Sequence, residues 1–252
     1  ITNAQLMNNE MADKLKQIGV KVLISIDGAD SVIYEEIKKG ASWEKMLENA
    51  KLSSACGILH GITVVLSKHN LHQIKDFVLL AEELGAKHII FIPLQPFKSD
   101  AYSRLSLTAA DYRIAINEVL SLKTEIDISF DEPFFTPFAK KLMPNKLNSG
   151  IVVNEFKGCI LGDYIYIQTN GDIRPCMFAP TELTIGNVQN EPLSDLWTKM
   201  QNHTLLKELK DQSLRKGKCG ECQHFDDCGG CPTRIRGTHH NWFESDPACP
   251  LI

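Results

Sequence analysis

The residues with the most evident chemistry are cysteines. Eight of the 252 residues are Cys, at positions 56, 159, 176, 219, 222, 228, 231 and 249, and seven of them fall in the last hundred residues. Four stand in CGECQHFDDCGGC, residues 219–231, with the spacing C-x2-C-x5-C-x2-C. Cys159 and Cys176 bracket the stretch GCILGDYIYIQTNGDIRPC upstream, and Cys249 closes DPAC downstream. Such crowding has three chemical explanations: disulfides, zinc or iron–sulfur. Disulfides suit small secreted scaffolds without a core, whereas this chain has ample apolar sequence elsewhere. Zinc ribbons separate their two knuckles by roughly fifteen to twenty residues, and five is short for folding two knuckles round one ion. Cys219, Cys222 and Cys228 can serve one site while Cys231 points elsewhere, as happens in ferredoxins. The seven then divide as four plus three, with Cys231 supplying a partner for Cys159 and Cys176. This spacing favours iron–sulfur over zinc.

The remaining reactive residues are less informative. Cys56 lies among apolar neighbours and reads as a small buried hydrophobe. The eight histidines form no H-E-x-x-H pair, and His224 within the cysteine loop reads as a solvated side chain. The composition is that of an ordinary globular chain, 43% hydrophobic and 23% charged. With a formal net charge of −4 and scattered Lys and Arg, it has no electrostatic footprint for nucleic acid. No run of about eighteen apolar residues suggests a membrane span.

The elements that position these residues follow from periodicity. AQLMNNEMADKLKQIG, SWEKMLENAKLSSACG and LHQIKDFVLLAEELG have helical spacing, with Gly19 and Gly57 as stops and Ser42 as a cap. VKVLISID, ITVVLS and KHIIFIPL are apolar runs between them, expected as strands buried on both faces. Alternation with short Gly-terminated turns predicts βα units and a parallel sheet over residues 1–98. Function then gathers at the C-terminal strand ends, which read SIDGAD, LSKHN and IPLQP. Residues 99–150 are expected to bridge two parts of the chain, with one helix at SLTAADYRIAINEVLSLK capped by Ser106 or Thr108. From 151 to 252, a hairpin is expected at Asn170-Gly171, then a short helix capped by Asn190 and a cysteine-rich loop region.

These motifs together resemble a known family. The "GC" at 158–159, the G-x4-C from Gly171 to Cys176 and the C-x2-C-x5-C run resemble the SPASM domain, the auxiliary-cluster module of radical S-adenosylmethionine enzymes. IGNVQNEPLSDLW and CGGCPTRIRGTHHNWFESDPAC fit the same pattern. Upstream, VLISIDGAD, GASWEKMLENAKL, ITVVLSKHN and IIFIPLQP resemble the second half of a radical S-adenosylmethionine barrel. The resemblance implies an α/β fold: the C-terminal part of a partial (β/α)6 barrel plus a small cysteine-rich domain with a β-hairpin. It implies that Cys219, Cys222, Cys228 and Cys249 hold one auxiliary 4Fe-4S cluster and that Cys159, Cys176 and Cys231 hold the other. It further implies that Ser25, Asp27 and the backbone near Leu94 line the S-adenosylmethionine pocket.

Three departures qualify what is carried over. The C-x3-C-x2-C that binds the S-adenosylmethionine-cleaving cluster is absent, so the chain is expected to be a fragment that begins near the end of the third barrel strand. Formylglycine-generating maturases of the family carry Asp where this chain has Met177, which cannot take a proton. No further cysteine lies between Cys159 and Cys176, which leaves their cluster with three thiolates. The implied activity is a radical oxidoreductase or maturase in the cytoplasm. Its expected substrate is a peptide or protein, with tetrapyrrole side-chain modification as the alternative. An electron donor such as ferredoxin or flavodoxin is implied, with no membrane partner. A non-catalytic iron–sulfur electron carrier and a zinc-stabilised interaction domain are the readings of another class.

Overall fold

A computed structural model describes residues 1–95, 104–142 and 158–251. The stretch MPNKLNSG, part of the expected bridge over 99–150, lies outside the described residues. The chain divides into two compact units. The first contains Ile1–Leu94 and Arg104–Asp131; the second contains Gln95, Glu132–Phe138 and 158–251.

The first unit is built on a parallel sheet of β1 (Val22–Ser25), β2 (Leu59–Leu66), β3 (His88–Pro93) and β4 (Asp127–Phe130), in that order. Thr2 adds a parallel bridge to Ile24 on the free side of β1. Ile24, Ile62, Val64, Ile89, Phe91, Ile128 and Phe130 are buried in the core. The helices between strands start where short polar side chains take up free amide groups. Asn8 accepts from Met11 N at 2.9 Å, Ser42 from Lys45 N at 3.2 Å, and Thr108 forms a capping box with Asp111.

Three expectations about this unit's elements are corrected. β1 and β3 bury alternate positions fully and leave the others half-buried, because successive side chains of a strand point to opposite faces and only one face is fully covered. The segment 99–150 does more than bridge, since β4 pairs with β3 from Asp127 to Phe130. Cys56 is half-buried instead of buried, because it caps the end of the helix Trp43–Ala55 and does not lie on its inner face. Two elements give no periodic signal because they are too short: β4, with four residues, and a helix over Ser31–Ile37 capped by Asp30.

In the second unit, β5 (Tyr166–Ile167), β6 (Asp172–Arg174) and β7 (Gly186–Asn187) form an antiparallel sheet. The turn falls at Asn170-Gly171 as expected, with Gly171 at φ +88°. The helix Leu193–Gln201 begins after Pro192, whose fixed φ suits a helix start; Asn190 stands outside it and donates its N–H to Asn187 O. Leu161, Ala179, Leu183, Met200, Leu206 and Leu209 form the core here, with Trp242 and Phe243 packed on it. Among the described residues no helix is long and apolar enough to cross a membrane.

Gly28 shows how tightly the first strand end is packed. A Cβ there would stand 2.2 Å from the backbone N of Tyr34, a buried residue of the following helix. Gly28→Ala is expected to destabilise the fold by about 3 kcal/mol, the upper end of overpacking costs, measured by urea unfolding.

Candidate metal centre and strand-end site

At the C-terminal ends of β1 and β2 lies a connected polar network. Ser25 ends β1, and Asp27 follows it, 7% exposed. Lys38 Nζ bridges the two, donating to Ser25 Oγ at 2.9 Å and pairing with Asp27 Oδ2 at 3.0 Å. The other oxygen, Asp27 Oδ1, accepts from Val65 N at 2.7 Å. Asn70, fully buried, donates to Asp27 O and Val65 O, each at 2.9 Å, and accepts from Ser67 N at 2.8 Å. Polar groups in a strand-end turn would be costly if orphaned, and this amide satisfies three of them. Leu94, half-buried, comes directly after β3. Ser25, Asp27 and Leu94 therefore all sit at the C-terminal side of the parallel strands, and Lys38 joins the first two. Lys38 was missed from sequence because it reads as a solvated lysine at a helix end.

The seven clustered cysteines lie in the second unit, and all eight cysteines of the chain are free thiols. Their mutual electrostatics separate them into two sets. Burial pushes the Cys159 thiol up, and Cys231 and then Cys176 push it further. Cys228 is raised by burial, with Cys249 and Cys219 adding to it. Cys249 is pushed up to about 11, mainly by burial, with Cys219 and Cys222 among its charged neighbours. Cys231 is also pushed up to about 11 by burial, against the pull of Arg234. Between Cys228 and Cys231 the backbone turns sharply. Gly229 and Gly230 both adopt positive φ, +66° and +67°, a reversal that glycine makes without strain.

The donor chemistry suits a multi-iron cluster. A single zinc ion needs its donors about 2.3 Å from one point, and among the described residues no three Cys, His, Asp or Glu side chains converge that way. Thiol donors in two sets fit corner ligation of two cubes. Backbone amides reach the sulfurs: Phe178 N donates to Cys176 Sγ and Gly230 N to Cys228 Sγ, each at 3.4 Å. Amide-to-sulfur bonds stabilise thiolates and tune cluster potential. The Tyr164 hydroxyl also meets the Cys176 thiol and accepts from Met177 N at 3.4 Å. It was missed because DYIYIQ reads simply as a strand.

The sequence profile of the radical SAM superfamily matches residues 1–81, and that of the SPASM iron–sulfur cluster-binding domain matches residues 159–231. The chain belongs to the radical SAM enzymes that carry a SPASM domain. It is 26% identical over 261 residues to an AdoMet-dependent heme synthase of Methanosarcina barkeri, covering 98% of this chain and 72% of that one. It is 30% identical over 256 residues to the mycofactocin maturase MftC of Mycobacterium ulcerans, covering 98% of this chain and 66% of the maturase. The fold is similar to that of native anSMEcpe with bound AdoMet and Cp18Cys peptide, with a TM-score of 0.73 at 19% identity, covering 98% of this chain and 69% of that one. The radical SAM and SPASM domains imply 4Fe-4S clusters and S-adenosylmethionine as the cofactors of this enzyme.

Asn70 provides a test of the strand-end network. Asn70→Ala leaves Ser67 N and the Asp27 and Val65 carbonyls without this partner. At roughly 1–3 kcal/mol for each group left unsatisfied, the expected loss is about 3 kcal/mol in chemical unfolding.

Proposed function

We propose that this radical SAM enzyme holds two auxiliary 4Fe-4S clusters, one on Cys219, Cys222, Cys228 and Cys249 and one on Cys159, Cys176 and Cys231. The observation that carries the ligand assignment is the double positive φ of Gly229 and Gly230, which reverses the chain between Cys228 and Cys231; the thiols that bear on one another agree with it. Ser25, Asp27 and the backbone at Leu94 bind S-adenosylmethionine at the strand ends. The family's cofactors, when bound, supply a 5′-deoxyadenosyl radical that takes a hydrogen atom from the substrate. The residues of this chain position that chemistry. Lys38 holds Ser25 and Asp27 in one orientation, and Asn70 fixes the turn behind them. Amides on Cys176 and Cys228 set how readily the proposed auxiliary clusters take up an electron.

The substrate is a peptide or protein, a reading supported by the 30% identity to a mycofactocin maturase. Tetrapyrrole side-chain modification is the second reading, favoured by the similarity to an AdoMet-dependent heme synthase along 98% of this chain. Met177, 49% exposed, cannot serve as the proton acceptor that the resemblance places there in formylglycine-generating maturases, so that activity is not proposed. A ferredoxin or flavodoxin supplies electrons, and the enzyme works in the cytoplasm, a reading supported by its unpaired thiols.

Anaerobic reconstitution tests the ligand assignment. The two sites together should hold about eight iron and eight sulfide per chain, and Cys228→Ala should lower both by about four. The sheet of the first unit should keep its circular dichroism. Unchanged iron in that variant sinks the assignment. Release of 5′-deoxyadenosine by the intact enzyme, compared between peptide and porphyrin substrates, decides the substrate class; stimulation by porphyrin alone puts tetrapyrrole modification first.

A further inference from the structure

Arg234 is almost entirely buried, as are both of its partners. Its guanidinium makes two forked pairings. Nη1 and Nη2 donate to Glu132 Oε1 and Oε2 at 2.7 and 2.9 Å, while Nε and Nη2 donate to Asp246 Oδ1 and Oδ2 at 2.8 and 2.7 Å. Its face lies 5.5 Å from the centre of the Phe134 ring. Two buried carboxylates thus share one guanidinium.

The two carboxylates differ in what else they hold. Asp246 Oδ2 accepts the N–H of Cys231 at 2.8 Å, and Oδ1 accepts the N–H of Ala248, the residue before Cys249, at 3.0 Å. One carboxylate thus fixes a backbone from each cysteine set. Its charge is also felt at both sets, at Cys231 and at Cys228 and Cys249.

We propose that Asp246 is a shared positioning residue that sets the reduction potential of both auxiliary clusters, through the backbone it holds at Cys231 and beside Cys249. The inference rests on the cluster assignment above. A buried negative charge opposes the arrival of an electron, so this carboxylate lowers the potential of both clusters. Burial makes this action strong and insensitive to salt.

The experiment is a mediated redox titration followed by electron paramagnetic resonance, on the intact protein and its Asp246→Asn and Glu132→Gln variants. The two signals are assigned by the loss of one in Cys228→Ala. In Asp246→Asn both midpoints should move to more positive values. Glu132→Gln weakens the pairing with Arg234 but keeps the Asp246 bonds to the Cys231 and Ala248 amides, so both midpoints should move less than in Asp246→Asn. Midpoints unmoved in loaded Asp246→Asn overturn the proposal, as does a shift of equal size for both clusters in Glu132→Gln. If Asp246→Asn fails to load, Asp246→Glu, which keeps the charge, should hold both midpoints near the parent values, and a positive shift of both there overturns the proposal. Loss of iron from both variants with the fold intact reduces the trio to bracing and also overturns the proposal. Failure of the cluster assignment appears separately, as missing iron and sulfide in the parent protein.

Discussion

A guanidinium taken out of water must be met by carboxylates, and in the second unit this requirement organises everything near the cysteines. Removing an ion from water costs several kcal/mol, and only well-shaped partners with every donor used offset that. Arg234 uses its two forks on Glu132 and Asp246, which lie 102 and 12 residues away in the chain. The remaining lone pairs of Asp246 are then taken up by the amides of Cys231 and Ala248. The loop conformation follows. Gly230 approaches so closely that a Cβ there would meet Asp246 Cβ at 3.1 Å, and its positive φ bends the chain just before Cys231. Arg234 is held strongly protonated by these two carboxylates, and its charge in turn keeps the Asp246 carboxyl below its usual range.

The first unit solves a similar problem with less charge. Its strand ends carry carbonyls and amides that the parallel ladder no longer pairs. Asn70, Asp27 and Ser67 close these on one another, and Lys38 covers the outer side. An amide can both donate and accept, so one Asn replaces several waters. The result is a rigid polar rim at the end of a hydrophobic sheet, the usual place for ligand chemistry in parallel folds.

Much of the fold was legible because local rules agreed. β1 to β3, the helices Trp43–Ala55 and Ile74–Glu83 and the hairpin at Asn170-Gly171 follow from apolar runs, caps and turn residues. β4 and the helix Ser31–Ile37 were not, since four and seven residues are too few for a period to stand out. Asp27 and Asn70 were visible as polar residues where strands end, and Ser25 through the family resemblance, whereas Lys38 became a partner only once the turn brought it there.

The sequence by itself determined the residue types and spacing: seven thiols within 91 positions and two glycines between Cys228 and Cys231. These fix a donor set and a chain reversal whatever surrounds them, because spacing and backbone freedom are local properties. Tertiary structure alone decided which charges face those thiols. Glu132 sits in DEPFF, which reads as a proline-rich connector, and Arg234 in TRIRGTH, part of the expected cysteine-rich loop region. Only folding buries them together, because electrostatic partnership depends on distance in space and on exclusion of water, neither of which chain order records.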